Sequence, residues 1–237
     1  MLNTRKVILI GSTNYLGRAL VDTFQNENYS NDIVVTGRSY ARLSEYFSED
    51  KYQSLEQILI DLDEQNDLDR LMRYLKNQDC ALTVIYLAAI KSTSDDKTKR
   101  VMRIGYLRSV ELFQYMEKHV KNFNYVLIGS QGDIHGTANS SSYNAAKSAL
   151  SHYFEPKIFL NNLPYRIFLV KPWIFDSQTN SRSYKIQYTS NYVARKIHNG
   201  LTTGKQLIYV PVFTYKLVQL VSFLSKRLLY FVIYKIM

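Results

Sequence analysis

KVILIGSTNYLGRAL, residues 6–20, decides the fold. Four apolar side chains follow Lys6 without alternation and run straight into Gly11, after which LGRALVDTFQNE reads with helical spacing. An unbroken apolar run this short describes a strand buried on both faces. A glycine turn leading from such a strand into a helix is where backbone N–H groups and the positive helix end meet a pyrophosphate. Gly11 lets the chain turn sharply, and Gly17 lets the helix sit close to the strand. Asn14 falls where many such loops carry another glycine, and asparagine is a side chain that tolerates left-handed backbone. An ordinary strand–helix turn is the competing reading.

The same alternation continues outward. DIVVTG (32–37), SLEQILIDL (54–62), ALTVIYLAA (81–89), NYVLIGS (124–130) and YRIFLVKP (165–172) repeat the strand pattern. DLDRLMRYLKN, TKRVMRIGYLRSVELFQYMEKHV and SSYNAAKSALSHYFEPKIFLNN separate them with helical patterns. In the second of these helices Met102, Tyr106, Val110 and Phe113 recur on one face. Strand–helix alternation predicts an α/β chain: a doubly wound parallel sheet, a Rossmann fold in three α/β/α layers. With 237 residues the chain suits one core, expected over residues 1–213, with a basic amphipathic tail helix over 214–237.

Charge is distributed unevenly. The net charge is +10, yet residues 1–176 hold 21 basic and 20 acidic side chains. After Asp176 there is no acid and there are nine Lys or Arg, so the C-terminal end is suited to an anionic partner. The apolar, basic end VSFLSKRLLYFVIYKIM holds only seven consecutive apolar residues, 228–234, too few to span a bilayer. It reads as an interfacial membrane helix, with a dimerisation or groove-covering helix as the alternative. No nucleic-acid module accompanies the charge, so nucleic acid is not an expected partner. Cys80 is the only cysteine, which fits a reducing, cytoplasmic setting with peripheral membrane contact. The first apolar run is too brief for a signal peptide. His119, His135, His152 and His198 have no metal-ligand spacing, and no metal is expected. No P-loop or nucleophile elbow is present.

The second strand ends in Thr36, Gly37, Arg38 and Ser39, where diphosphate-selective dinucleotide folds place a ribose-binding acid. A guanidinium and hydroxyls suit a 2′-phosphate instead, so NADP(H) is expected, with NAD(H) as the alternative.

These pieces resemble the short-chain dehydrogenase/reductase family over about residues 5–211. The glycine turn at 11–17, Asp61 after the third strand, LAA (87–89), Ser130, YNAAK (143–147) and VKPW (170–173) occur in the family's order, and 13 positions separate Ser130 from Tyr143. The resemblance implies an NADP(H)-dependent enzyme interconverting a ketone and a secondary alcohol, and a homo-oligomer. Tyr143 would be the acid/base, Lys147 its tuner, and Ser130 the donor to the substrate oxygen. Gly11, Ser12, Asn14, Leu16, Gly17, Arg38, Asp61, Leu62, Ala88, Lys147 and Pro172 would contact the cofactor. A free tyrosine has a pKa of about 10, and a neighbouring ammonium is expected to lower it. Tyr153/Lys157 and Tyr192/Lys196 share the four-residue spacing and are read as surface or core pairs.

Gly105 stands where the family often has an asparagine supporting the lysine through a water, and Ala89 stands in for a glycine, as in sugar-modifying branches. Trp173 reads either as a packing residue or as a stacking partner for the nicotinamide edge or a sugar, and His135 either as a plain loop histidine or as a substrate contact. The YVP segment and basic tail resemble reductases of polyprenyl-phosphate-linked sugars, pointing to a small-molecule or lipid-linked carbonyl substrate in surface polysaccharide synthesis. A non-catalytic NADP(H)-binding regulator or adaptor is the alternative.

Overall fold

The computed structural model describes residues 6–29, 32–90, 97–133, 140–160, 163–173, 175–176 and 188–224. Seven strands form one parallel sheet in the order β3-β2-β1-β4-β5-β6-β7. They are β1 (Lys6–Ile10), β2 (Asp32–Gly37), β3 (Glu56–Leu59), β4 (Leu82–Tyr86), β5 (Phe123–Ile128), β6 (Tyr165–Pro172) and β7 (Leu207–Val210). The helices are α1 (Tyr15–Asn26), α2 (Tyr40–Phe47), α3 (Gln65–Lys76), α4 (Thr98–Met102), α5 (Arg108–His119), α6 (Ser141–Ile158), α7 (Ser190–Thr203) and α8 (Val212–Leu224).

Alternate side chains of the central strands feed two cores. Val7, Leu9, Ile85, Val126 and Phe168 pack under α1 and α7, with Leu20, Phe24, Val193 and Ile197. Ile8, Ile10, Val84, Leu127 and Ile167 pack under α3, α5 and α6, with Leu71, Phe113 and Phe154. Both faces are therefore covered, which is why these strands read as continuous apolar runs. The expected three-layer doubly wound sheet is the observed one.

Three details differ from the expectation. β3 spans only Glu56–Leu59 because it is an edge strand with half-buried or exposed side chains. β7 is a seventh strand, in parallel register with β6 from Leu169↔Leu207 to Pro172↔Val210. The helix expected over 98–120 is interrupted by a π-helical turn at Arg103–Leu107. Gly105 lies in that turn, and a Cβ there would come within 3.1 Å of Ala146 Cβ, one residue before Lys147. The glycine lets α6 approach closely.

Strand order reverses between β1 and β4, opening a crevice at their C-terminal ends, the ligand-binding edge of such sheets. Gly11 ends β1 with φ +74, and a Cβ on it would lie 2.9 Å from Ala88 Cα beyond β4. Only glycine combines that backbone with that approach.

Candidate active site

The first side of the crevice is the β1–α1 turn. Asn14 is extended (φ −157) rather than left-handed, which corrects the expectation from sequence. It is the N-cap of α1: its side-chain oxygen accepts from Gly17 N at 2.9 Å and its Nδ2 donates to Gly11 O at 2.8 Å. Gly17 is close-packed, since a Cβ would meet Ser12 O at 2.1 Å. Ser12 is fully buried, and its hydroxyl donates to Thr36 O at 3.0 Å. Leu16 is buried in the first turn of α1. The turn is thus held by its own Ser12 and Asn14 side chains.

At the end of β2, Thr36 Oγ1 accepts from Gly11 N at 3.0 Å, and Ser39 caps α2 by accepting from Arg42 N at 3.4 Å. These hydroxyls serve the fold, whereas Arg38 is exposed. After β3, Asp61 Oδ1 accepts from Asp63 N at 3.0 Å, and the carbonyl of buried Leu62 accepts from Arg108 Nε at 2.9 Å. Arg108 had no signal in the sequence beyond its place on a helix.

The second side is built by β5, β6 and α6. Lys147 is 3% exposed, and its Nζ donates to Ile128 O, the last residue of β5, at 2.5 Å. Ser148 Oγ donates to Asp133 O at 3.1 Å. These two bonds tie α6 to the chain on either side of half-buried Ser130. Gly129 N donates to Val170 O at 2.7 Å, and a Cβ on Gly129 would lie 3.3 Å from that oxygen, so β6 crowds the serine's neighbour. Pro172 is buried at the end of β6, and Trp173 N donates to Val210 O at 2.7 Å.

All three Tyr/Lys pairs place the ammonium against the ring. Lys147 Nζ lies 5.7 Å from the Tyr143 centroid, Lys157 Nζ 5.1 Å from that of Tyr153, and Lys196 Nζ 5.3 Å from that of Tyr192. The i,i+4 spacing produces this geometry anywhere on a helix. Location separates them. Lys196 is exposed and Lys157 half-exposed, whereas Lys147 is buried at the C-terminal sheet edge.

The expected lowering of the Tyr143 pKa is corrected by this geometry. Burial pushes the phenol up to about 12 and the Lys147 ammonium down to about 8. The cation is aimed at the Ile128 carbonyl, and desolvation penalises phenolate and ammonium alike. At neutral pH the phenol keeps its proton.

His135 and residues 177–187 lie outside the described residues. Asp176 Oδ1, which accepts from Ser190 N at 2.5 Å, joins the flanks of the second stretch. No group of three or more potential metal ligands occurs among the described residues.

No family model and no curated protein matches this chain. Solved structures do. The chain is similar to a short-chain dehydrogenase from Burkholderia cenocepacia in complex with NADP, with TM-score 0.78 and 15% identity over 96% of both chains. The fold is that of the short-chain dehydrogenases. A short-chain dehydrogenase from Sphingobium yanoikuyae in complex with NADPH is similar over 87% of this chain and 88% of its own, with TM-score 0.74 and 16% identity. A short-chain dehydrogenase/reductase from Vibrio parahaemolyticus gives TM-score 0.71 and 20% identity over 86% and 98%. Within the short-chain dehydrogenase fold, Tyr143 and Lys147 begin the helix beside β5 and the glycine turn follows β1.

Proposed function

We propose that the protein is an NADP(H)-dependent oxidoreductase of the short-chain dehydrogenase kind, interconverting a ketone and a secondary alcohol. The observation that carries the reading is Lys147, buried beside Tyr143 and bonded to the end of β5, two residues before Ser130. The crevice suits a dinucleotide. Its glycine turn leaves no room for a Cβ at Gly11 or Gly17, α1 begins directly after that turn, as helix N-termini do at pyrophosphate sites, and Arg38 is exposed at the end of β2. Gly11, Asn14, Leu16 and Gly17 would shape the pyrophosphate cradle, Asp61 and Leu62 the adenine side, and Ala88, Lys147 and Pro172 the nicotinamide side. The phosphorylated cofactor rests on Arg38, since the similar proteins include complexes with NADP, NADPH and NAD.

When bound, the nicotinamide supplies the hydride to the carbonyl carbon. The chain's own part is to handle the oxygen. Ser130 donates a hydrogen bond to it as negative charge develops, an oxyanion role. Tyr143, protonated at neutral pH, gives its proton to that oxygen. Lys147 holds the phenol's surroundings positive and can return a proton to it. A phenol pushed up to about 12 suits the reductive direction at neutral pH.

NADPH oxidation screened over keto-sugars and lipid-linked sugars tests this. Turnover is expected with at least one ketone, and Arg38→Ala should raise KM for NADPH by about tenfold while barely changing that for NADH, as expected for loss of one charge-assisted contact. Tight NADPH binding with no oxidation across the panel would point to the adaptor reading.

A lipid-linked substrate is favoured by α8. Thr214 and Val218 are buried, whereas Phe213, Leu220 and Phe223 are 73%, 60% and 89% exposed, with Lys216 exposed on the same side. An apolar stripe on a chain end without acids suits an anionic bilayer surface, where each nearby cation adds up to about 1 kcal/mol. Leu220→Asp/Phe223→Asp should abolish sedimentation with phosphatidylglycerol vesicles, and unchanged sedimentation removes this surface. No helix among the described residues is long and apolar enough to cross a membrane.

A further inference from the structure

The chain just beyond Ser130 is held by groups that the reaction does not use. Asp133 N donates to Ser130 O at 3.3 Å, closing a single 3-10 turn over Gln131–Asp133, so serine and aspartate move together. The Asp133 side chain is 3% exposed, and its Oδ2 lies 2.9 Å from Lys171 Nζ, itself 5% exposed near the end of β6. Lys171 Nζ also donates to Glu155 Oε2 of α6 at 2.7 Å. Between serine and aspartate, Gln131 is fully buried. Its Nε2 donates to Lys171 O at 3.2 Å and Pro211 O at 3.1 Å, and its Oε1 accepts from Thr214 Oγ1 of α8 at 2.8 Å.

We propose that the Asp133–Lys171–Glu155 cluster and the Gln131 clamp form the positioning device for Ser130, making Asp133, Lys171 and Gln131 positioning residues for the reaction. This rests on the reading of Ser130 as donor to the substrate oxygen. Lys171 is not a substrate ligand, because its ammonium is buried against two carboxylates. Among the described residues the cation closest to the Asp133 carboxylate is Lys171, at 2.9 Å, and the Tyr209 phenol also feels its charge. Buried pairs of this kind add little stability compared with apolar side chains of the same volume, but their geometry fixes a register. Here the register is that of a loop whose serine must meet a developing oxyanion, and small displacements at such a donor cost rate steeply. Burial alone would lower the Lys171 pKa, but Glu155 and Asp133 outweigh it and raise it, so the cation persists at neutral pH. Gln131 extends the device to α8. The C-terminal helix is thereby bonded to the loop that carries Ser130.

A double-mutant cycle with NADPH and the activated ketone isatin tests the proposal. Asp133→Asn should lower kcat about tenfold with an unchanged NADPH Kd, and Ser130→Ala about 100-fold. In the Ser130→Ala background, Asp133→Asn should have no further effect on kcat, because the residue acts through the serine. Amide exchange over residues 129–133 should quicken in Asp133→Asn while β4 is unaffected. Should Asp133→Asn fail to fold, Thr214→Val, which cuts the clamp from α8, takes its place in the same cycle. A tenfold loss that persists in full without the serine hydroxyl, or an unchanged kcat in the single variant, overturns the positioning role. An unchanged kcat in Ser130→Ala alone overturns the role of Ser130 itself, and the proposal with it.

Discussion

Tyr143→Phe is expected to leave fold and NADPH affinity intact while lowering ketone reduction by about 100- to 10,000-fold, the usual contribution of a placed general acid. The ring stays, so the half-buried contacts and the Lys147 cation against its face are preserved. Only the hydroxyl is lost, and with it the proton for the alkoxide oxygen. Because burial holds this phenol up to about 12, it is protonated throughout the neutral range, and reduction by the wild type should not fall as pH rises from 6 to 8 on its account. Stopped-flow nucleotide oxidation and a fluorescence titration of NADPH separate the two effects. If Tyr143→Phe turns over as fast as the parent, Tyr143 is not the acid. If it loses cofactor affinity in proportion to turnover, the hydroxyl serves binding instead.

Lys147→Met should abolish most turnover and, measured without added nucleotide, make the protein more stable. The ammonium is 3% exposed, and burial lowers its pKa from 10.5 to about 8. At pH 7 it is charged both folded and unfolded, and the fold bears the desolvation, about 3 kcal/mol for a shift of this size. Above about pH 8 the folded protein releases the proton while the unfolded chain still binds it up to 10.5, so stability rises with pH across this window. Methionine removes the charge at every pH. Urea denaturation should therefore show a gap between variant and parent of about 3 kcal/mol at pH 7 that narrows towards pH 10.5. A variant equally destabilised at both pH values would show that the Ile128 bond, not burial of charge, governs Lys147. This cost of folding is consistent with a cation kept for chemistry.

The sheet was legible because its strands are buried on both faces. Continuous apolar runs at 6–10, 32–37 and 165–172 coincide with β1, β2 and β6. β7 was not legible: Leu207–Val210 is four residues long, and only pairing with β6 makes it a strand. Ser130, Tyr143 and Lys147 stood out through their spacing in a resembling order, whereas Gln131 and Asp133 looked like loop residues. Lys171 offered one signal, a charge inside an otherwise apolar strand, but its partners come from the β5–α6 loop and from α6.

By itself the sequence determined the alternation of β1 to β6 with helices, where the glycine turn falls, and which end of the chain is basic, because periodicity, backbone freedom and charge are properties of neighbouring residues. The tertiary structure alone decided how deeply the Tyr143/Lys147 pair is buried at the sheet edge, that burial rather than cation–phenol attraction sets the acidities there, and that Asn14 caps a helix. Those outcomes depend on how much water and which distant groups surround each side chain, and that is settled only when β5, β6, α6 and α8 come together.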